Sequence, residues 1–308
     1  MPGSAARPGR PKRPRLRPWH RRRTCGRNAS ERRVASRRVR FALAAGLALL
    51  AAGCGTASSP AARHPAPRPR TLPGISAAPR APSVVPQRRE LARLLVLDRP
   101  VFCGGPRGRL VALTFDDGPG PYTGLALKEL SRARARATFF LVGKSIRRFP
   151  AWPRREKADG ALGDHTATHP DLAALSRAAM VHELAAGQAA ARRAAGVAIR
   201  LFRPPYGLST PAIAAEARRL GMVEVLWSVD SGDSIGGNFH QIAARVRRGI
   251  RPGSIVLMHE NRGQTIRALR SILPYLRRHR LRPVSVPELL AADPPTFALL
   301  RAGAGGCG

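Results

Sequence analysis

Acids, aromatics and lysine are all scarce in this chain, and each shortage excludes something. Acidic residues number 18 against 54 Lys+Arg in 308 residues, leaving a net charge of +36. Aromatic side chains make up only 5%. A strongly basic protein suggests an anionic partner, such as nucleic acid, a membrane surface or an acidic polymer. A nucleic-acid binder needs stacking platforms and a recognisable module, and the chain offers neither. Arginine far outnumbers lysine throughout, which points to a genome biased towards Ala, Arg, Gly and Pro. The excess is uneven: +14 in residues 1–40, +6 in 41–105 and +16 in 106–308. Long apolar runs are also missing. The longest near the N-terminus is the 12-residue stretch 41–52, well short of the about 20 residues a bilayer span requires.

That stretch reads as targeting. Arg37-Arg38-Val39-Arg40 precedes it and Gly53-Cys54-Gly55 follows, the order of an export signal. Leu50-Ala51-Ala52-Gly53-Cys54 resembles a bacterial lipobox, with leucine one place earlier than usual. The expectation is an exported protein, held on the outer face of the cytoplasmic membrane through Cys54 or released to the cell wall. Residues 1–38 are too long and too rich in Arg and Pro for a normal leader, so translation is expected to begin near Val34 or Val39. The signal then spans 39–54. Residues 55–105, rich in Ala, Pro, Ser and Arg, read as a spacer, with some helix at 87–97 where Leu91, Leu94 and Leu95 recur.

Cysteine is sparse too, with four in all. Cys25 lies in the leader and Cys54 in the lipobox. Cys103 and Cys307 flank the remaining chain, and an exported compartment permits them to pair.

From residue 106 short apolar runs alternate with helical patterns. Strands are expected at 109–115, 137–142, 161–164, 199–203, 222–228, 254–259 and 282–286. Helices are expected at 122–134, 144–157, 172–195, 209–220, 238–249 and 262–279. This alternation predicts a parallel α/β fold over 106–292, barrel or open sheet, with 293–308 as a tail. In such folds chemistry collects beyond the C-terminal strand ends. Five polar clusters fall there: Asp116-Asp117, Asp164-His165, Arg203-Pro204-Pro205-Tyr206-Gly207, Ser228-Val229-Asp230 and Leu257-Met258-His259.

Adjacent carboxylates repel unless a cation or a proton separates them. Asp116-Asp117 therefore suggests one metal ligand and one proton acceptor. His165 and His169, four residues apart on a helix or tight turn, can share an ion, with Asp117 as third ligand. Two His and one carboxylate leave positions open for water and substrate. A hydrolytic site also needs a base and an acid, for which Asp116 and His259 are the candidates. Asp230 could orient His259, Arg203 could hold Asp116 ionised, and a backbone N–H of the 204–207 turn could serve an oxyanion.

Five motifs carry a family resemblance: Thr-Phe-Asp-Asp-Gly-Pro at 114–119, His-Thr-Ala-Thr-His at 165–169, Arg-Pro-Pro-Tyr at 203–206, Asp-Ser-Gly-Asp at 230–233 and Leu-Met-His at 257–259. Over about residues 106–290 the chain resembles polysaccharide deacetylases with the NodB homology domain, carbohydrate esterase family four. The resemblance implies an α/β fold, a distorted (β/α) barrel of roughly seven strand-helix units. It implies Asp116 as general base, with Asp117, His165 and His169 on a divalent metal, commonly zinc, with cobalt, manganese or nickel as substitutes. It implies His259 as general acid supported by Asp230, Arg203 positioning the base, and the Tyr206 N–H facing the tetrahedral intermediate. The implied reaction removes N-acetyl groups from an amino-sugar polymer such as peptidoglycan or a chitin-like chain, releasing acetate. The expected partners are that polymer and an anionic envelope surface; nucleic acid is not expected as a partner, and the protein is expected to be a monomer. One departure stands out. The fourth motif usually ends Asp-Trp, and here Ser234 follows Asp233. Rival readings are a non-catalytic glycan-binding protein on the same fold, and an amidase or O-acetyl esterase on another substrate.

Overall fold

A computed structural model describes residues 83–307. The leader, the signal and Cys54, and the spacer up to residue 82, lie outside the described residues. No helix among the described residues is long and apolar enough to cross a membrane.

Eight strands form one sheet: β1 (Leu110–Gly118), β2 (Ala137–Leu141), β3 (Gly160–Asp164), β4 (Leu201–Phe202), β5 (Val223–Glu224), β6 (Val229–Asp230), β7 (Ile255–His259) and β8 (Arg282–Val284). Their order is β5-β4-β3-β2-β1-β7-β6, with β8 paired to the start of β1. Every pair is parallel. The helices are α1 (Val84–Leu97), α2 (Thr123–Arg132), α3 (Gly143–Arg148), α4 (Pro153–Asp159), α5 (Arg177–Ala195), α6 (Pro211–Arg219), α7 (Phe239–Gly249), α8 (Gly263–Arg278), α9 (Val286–Ala292) and α10 (Phe297–Ala302).

The strand order forces the sheet to curl. β5 and β6 lie at its two opposite edges, yet only residues 225–228 separate them in the chain. That link spans about 17 Å at full extension, so the edges must approach each other. The seam is closed from below by a crossing segment. Val101 bridges Val225, and Cys103 bridges Ser254 just ahead of β7. The result is the expected distorted barrel, although the single strand expected at 222–228 is in fact β5 and β6 on opposite sides of the seam.

Strand periodicity sorts the core into two layers. Val111, Leu113 and Phe115 of β1 face outward into a cluster with Ala126 and Leu130 of α2 and Leu269 and Ile272 of α8. Leu110 and Ala112 face inward, with Phe140, Leu201, Val225 and Ile255. Leu91 and Leu94 of α1, Leu289 and Leu290 of α9 and Leu300 of α10 complete this inner cluster. The next inward residues of β1 are Thr114 and Asp116, both buried. One strand face thus passes from an apolar plug to a carboxylate as it nears the rim.

This packing corrects the expected domain limits. α1 belongs to the barrel's inner core, so the compact part begins well before residue 106. Residues 293–308 are no loose tail, since they hold α10 and Cys307, which is disulfide-bonded to Cys103 across 204 residues. The helix expected at 144–157 is broken after Phe149, where Pro150 removes a backbone donor, and restarts with Pro153 in the first turn of α4.

Candidate active site

The site is built where β1, β3, β4 and β7 end. β1 loses its regular register against β2 between Phe115 and Gly118. Asp117 there adopts φ 69°, a left-handed conformation rare for a residue with a Cβ. The break in alternation lets both acids face one site, Asp116 from the strand and Asp117 from the turn. Gly118 leaves the room this requires, because a Cβ there would overlap the Glu260 carboxyl group.

Asp116 is buried, and Arg203 is its partner. The Arg203 guanidinium is fully buried and donates to Asp116 Oδ1 at 2.8 Å and to Thr114 Oγ1 at 2.7 Å. It also donates to the Val225 and Leu226 carbonyls, both at 2.9 Å, and lies 4.2 Å over the Phe140 ring. Those two carbonyls belong to the link across the barrel seam. One arginine therefore closes the sheet and holds the acid.

The imidazoles sit on a turn, not a helix. His165 directly follows β3, while Thr166 and His169 have φ of 69° and 67°. Thr166 Oγ1 accepts from His169 N at 2.9 Å. Glu183 of α5 anchors the turn by accepting from Thr168 N and Oγ1 at 2.8 and 2.9 Å. His165 Nδ1 lies 2.7 Å from the Arg203 carbonyl, which can only accept. The proton therefore resides on Nδ1, and Nε2 presents its lone pair to the site. Burial lowers the His165 pKa against the pull of Asp116 and Asp117, keeping the ring neutral as a ligand must be. The His169 Nε2 atom is 3.4 Å and the His165 Nε2 atom 3.8 Å from Asp117 Oδ1. Ligand atoms of Asp117, His165 and His169 all lie within 4.8 Å of one another, and the set fits a divalent cation of borderline softness.

His259 ends β7 in direct register with Asp116 of β1. Its expected partner is corrected. The carboxylate on His259 is Asp233, not Asp230. Asp233 Oδ1 is 2.8 Å from His259 Nδ1, and Oδ2 accepts from His259 N at 2.7 Å and Thr265 Oγ1 at 2.6 Å. Asp230 is exposed and its Oδ1 accepts from Gly232 N at 2.7 Å. It shapes the tight turn, with Gly232 at φ 69°, that swings Asp233 inward. Burial works against a charged His259, but the Asp233 bond and the Asp116 charge outweigh it and raise the pKa. Asp233 is lowered despite its own burial by the same His259 contact.

Tyr206, at φ 61°, sets its exposed ring 4.8 Å edge-on to His169. Beside Asp233, Ser234 stands where an aromatic wall is usual, and the exposed Ile235 follows. Sequence reasoning missed Glu183 and Asn261, whose Nδ2 donates to Asp117 Oδ2 at 3.1 Å. Asp233 closes the Asp-Ser-Gly-Asp motif, and its role is visible only in the structure.

A half-barrel of parallel strands with two acids, two imidazoles and a His-Asp pair at one rim defines a hydrolase of the metal-assisted class. The polysaccharide deacetylase family profile matches residues 104–225. The chain is 36% identical over 198 residues to the chitooligosaccharide deacetylase of Bradyrhizobium sp. (strain ANU 289), covering 59% of this chain and 90% of that protein. The crystal structure of the peptidoglycan N-acetylglucosamine deacetylase Bc1960 superposes with a TM-score of 0.59 at 32% identity, covering 61% of this chain and 91% of that one. A carbohydrate esterase family four pseudoenzyme from Bacillus anthracis, BA3943, superposes at 0.60 with 28% identity, over 65% of this chain and 71% of that one. The chain belongs to the polysaccharide deacetylase family, carbohydrate esterase family four. Because that fold also occurs in a pseudoenzyme, turnover has to be argued from the residues.

Proposed function

We propose that this protein removes N-acetyl groups from amino-sugar polymers of the cell envelope and releases acetate. The observation that carries the reading is the register pairing of Asp116 with His259, one residue from the Asp117-His165-His169 cradle. Asp116, held in place by Arg203, accepts a proton from the attacking water. The water oxygen bonds to the acetyl carbon and the carbon–nitrogen bond breaks. His259, protonated with Asp233 on its Nδ1 side, donates from Nε2 to the departing amine. The Tyr206 backbone N–H faces the developing oxyanion. Zinc is the ion the donor set suits best, held by Asp117, His165 and His169, and it would supply Lewis acidity toward the acetyl carbonyl. Support for an acetylated N-acetylglucosamine polymer comes from the names of the relatives.

The test is acetate release from peptidoglycan fragments and from acetylated chito-oligomers, with metal content measured on the same protein. Release that is lost on chelation and restored by zinc is expected. Stoichiometric metal without acetate from any glycan would instead support the glycan-binding reading. We further propose lipid attachment at Cys54, which orients the enzyme to an anionic envelope surface. Incorporation of radiolabelled fatty acid should vanish in Cys54→Ser, and equal labelling of both forms would overturn the attachment.

A further inference from the structure

Helices α2 and α8 flank a furrow that opens at the catalytic rim. Tyr122, just ahead of α2, lays its ring against Gly263, the first residue of α8, where an added Cβ would come within 3.1 Å of it. Tyr122 lies five residues after Asp117, and Gly263 four after His259. A first cleft of about 480 Å³ is lined by Tyr122, Leu125, Arg267 and Arg270. A second, of about 720 Å³, is lined by Leu269, Leu273, Arg134, Arg277 and Arg280. Glu129 and Arg270 line both, so the two clefts adjoin. The furrow follows α8, whose 16 residues span about 24 Å.

Its charge is one-sided. Glu129 is the sole carboxylate in the lining, and Arg132 and Arg270 hold it at 3.5 and 3.1 Å. Among the described residues, Arg134, Arg277 and Arg280 have no carboxylate at ion-pair distance. Basic groups in a last helical turn complement the helix dipole, which accounts for Arg132, Arg277 and Arg278. It does not account for Arg134 and Arg280, which lie beyond the helix ends. The same molecule provides the contrast. α5 and α6 are followed by glycine in the left-handed region, Gly196 at φ 70° and Gly221 at φ 71°. At the ends of α2 and α8 that position is taken by Arg134 at φ 52° and Arg280 at φ 55°. The wrapping bonds match: Met222 N to Ala217 O at 3.0 Å, Ala135 N to Leu130 O at 2.9 Å and Leu281 N to Leu276 O at 2.8 Å. Glycine is the favoured residue there. The two helices that carry arginine instead are the two that flank the furrow.

We propose that the furrow is an exosite for the acidic peptide arms of a peptidoglycan chain whose acetylated sugar occupies the catalytic rim. It selects such a chain over a neutral chitin-like one. A five-residue peptide spans about 17 Å when extended, which leaves about 7 Å of the furrow's 24 Å to be bridged by the long arginine side chains reaching back from its far end. The inference rests on the deacetylase reading for its chemistry, but its binding half can be read separately.

The experiment uses the full chain and peptidoglycan fragments of equal glycan length, with their acidic peptides intact or enzymatically removed. The ratio of kcat/KM for the two should favour the peptide-bearing fragment and shrink as salt screens the charges. In the double variant Arg134→Gly, Arg280→Gly the ratio should fall about tenfold, two exposed charge contacts' worth, while Tm holds or rises because glycine suits both positions. Calorimetric affinity for the peptide-bearing fragment should weaken by a similar factor. A ratio unmoved in the double variant would overturn the proposal, as would inorganic polyphosphate binding with no preference for peptide-bearing glycan. If no glycan releases acetate but the double variant still loses affinity, the deacetylase reading fails and the exosite stands.

Discussion

The rim of this barrel has two wings of different construction. The cradle wing, Asp117 with His165 and His169, is held largely by backbone. Two of its three ligands and Thr166 between them sit at positive φ, and a main-chain carbonyl fixes the His165 tautomer. The acid wing, His259 with Asp233 and Thr265, is held by side chains whose charges depend on one another. The first is built to present lone pairs of fixed direction. The second is built to set a proton's affinity. Asp116 sits between them, its Oδ2 3.9 Å from His165 Nε2 and its backbone in register with His259, and its side chain is held by Arg203 at the barrel seam.

Breaking the two sides separately should give the largest effects and different signatures. His165→Ala should lower metal occupancy and activity together, since it removes one of three ligands. Asp116→Asn should keep the metal, because Asp117 supplies the ligand, and lose activity by about 10²–10⁴-fold, the usual worth of a positioned base. Metal analysis beside acetate kinetics separates them. Near-normal turnover in Asp116→Asn would remove the base assignment.

The acid wing should respond in pH dependence. His259 is raised by Asp233, so its protonated form is present at low pH and lost as pH rises through that raised value. Asp233→Asn keeps a hydrogen-bonding group but removes the charge, leaving burial to pull His259 down. The alkaline limb of kcat/KM should then move to lower pH, with a loss of about 10–100-fold near neutrality. Asp230→Asn should leave the limb in place, since its carboxylate serves only the Gly232 turn. A shift in that variant and none in Asp233→Asn would reverse the correction made from the geometry.

The wings also differed in how legible they were. The cradle could be read because its ligands are local: adjacent acids at a strand end and two imidazoles four apart. The acid wing was half read, since His259 ends a clear apolar strand. The partner went astray because the first acid after an apolar run is the natural choice, and only a left-handed glycine carries the chain on to Asp233. Leu91 and Leu94 signalled a helix but not its burial, because an apolar plug inside a barrel looks like any short amphipathic segment. The split of 222–228 into opposite sheet edges is a property of strand order, which no local pattern encodes. Glu156 is the extreme case: in Arg154-Arg155-Glu156-Lys157 it reads as solvated surface, yet it is fully buried.

That residue supplies the smallest expected effect on turnover, at the junction of the two wings. Glu156 packs with Glu260, also fully buried, behind the Gly118 turn. Glu260 N donates to the Asp116 carbonyl at 3.2 Å, so the pair backs the base directly. The nearest donors to Glu260 are the Thr123 hydroxyl and the Glu156 carboxyl itself, and no oxygen of either carboxyl is in strict bonding geometry with a donor. Two such carboxyls cannot both ionise. Burial pushes Glu260 up to about 8 against the hydrogen bonds of Glu156 and Thr123, with the Asp117 and Asp116 charges adding to it, and burial raises Glu156 as well. A carboxyl whose folded pKa is raised contributes stability that is complete below its unfolded value, near 4.5, and lost as pH climbs through about 8. Stability should therefore decline across that window, with a slope of at most about 1.4 kcal/mol per pH unit for one proton. Glu156→Gln offers Glu260 a permanent donor, lowers its pKa and should flatten the decline while kcat at neutral pH changes less than twofold. Urea midpoints measured from pH 5 to pH 9 for both proteins decide it: parallel profiles would mean that the pair does not hold a proton, and that the turn behind Asp116 is kept in place by Gly118 packing alone.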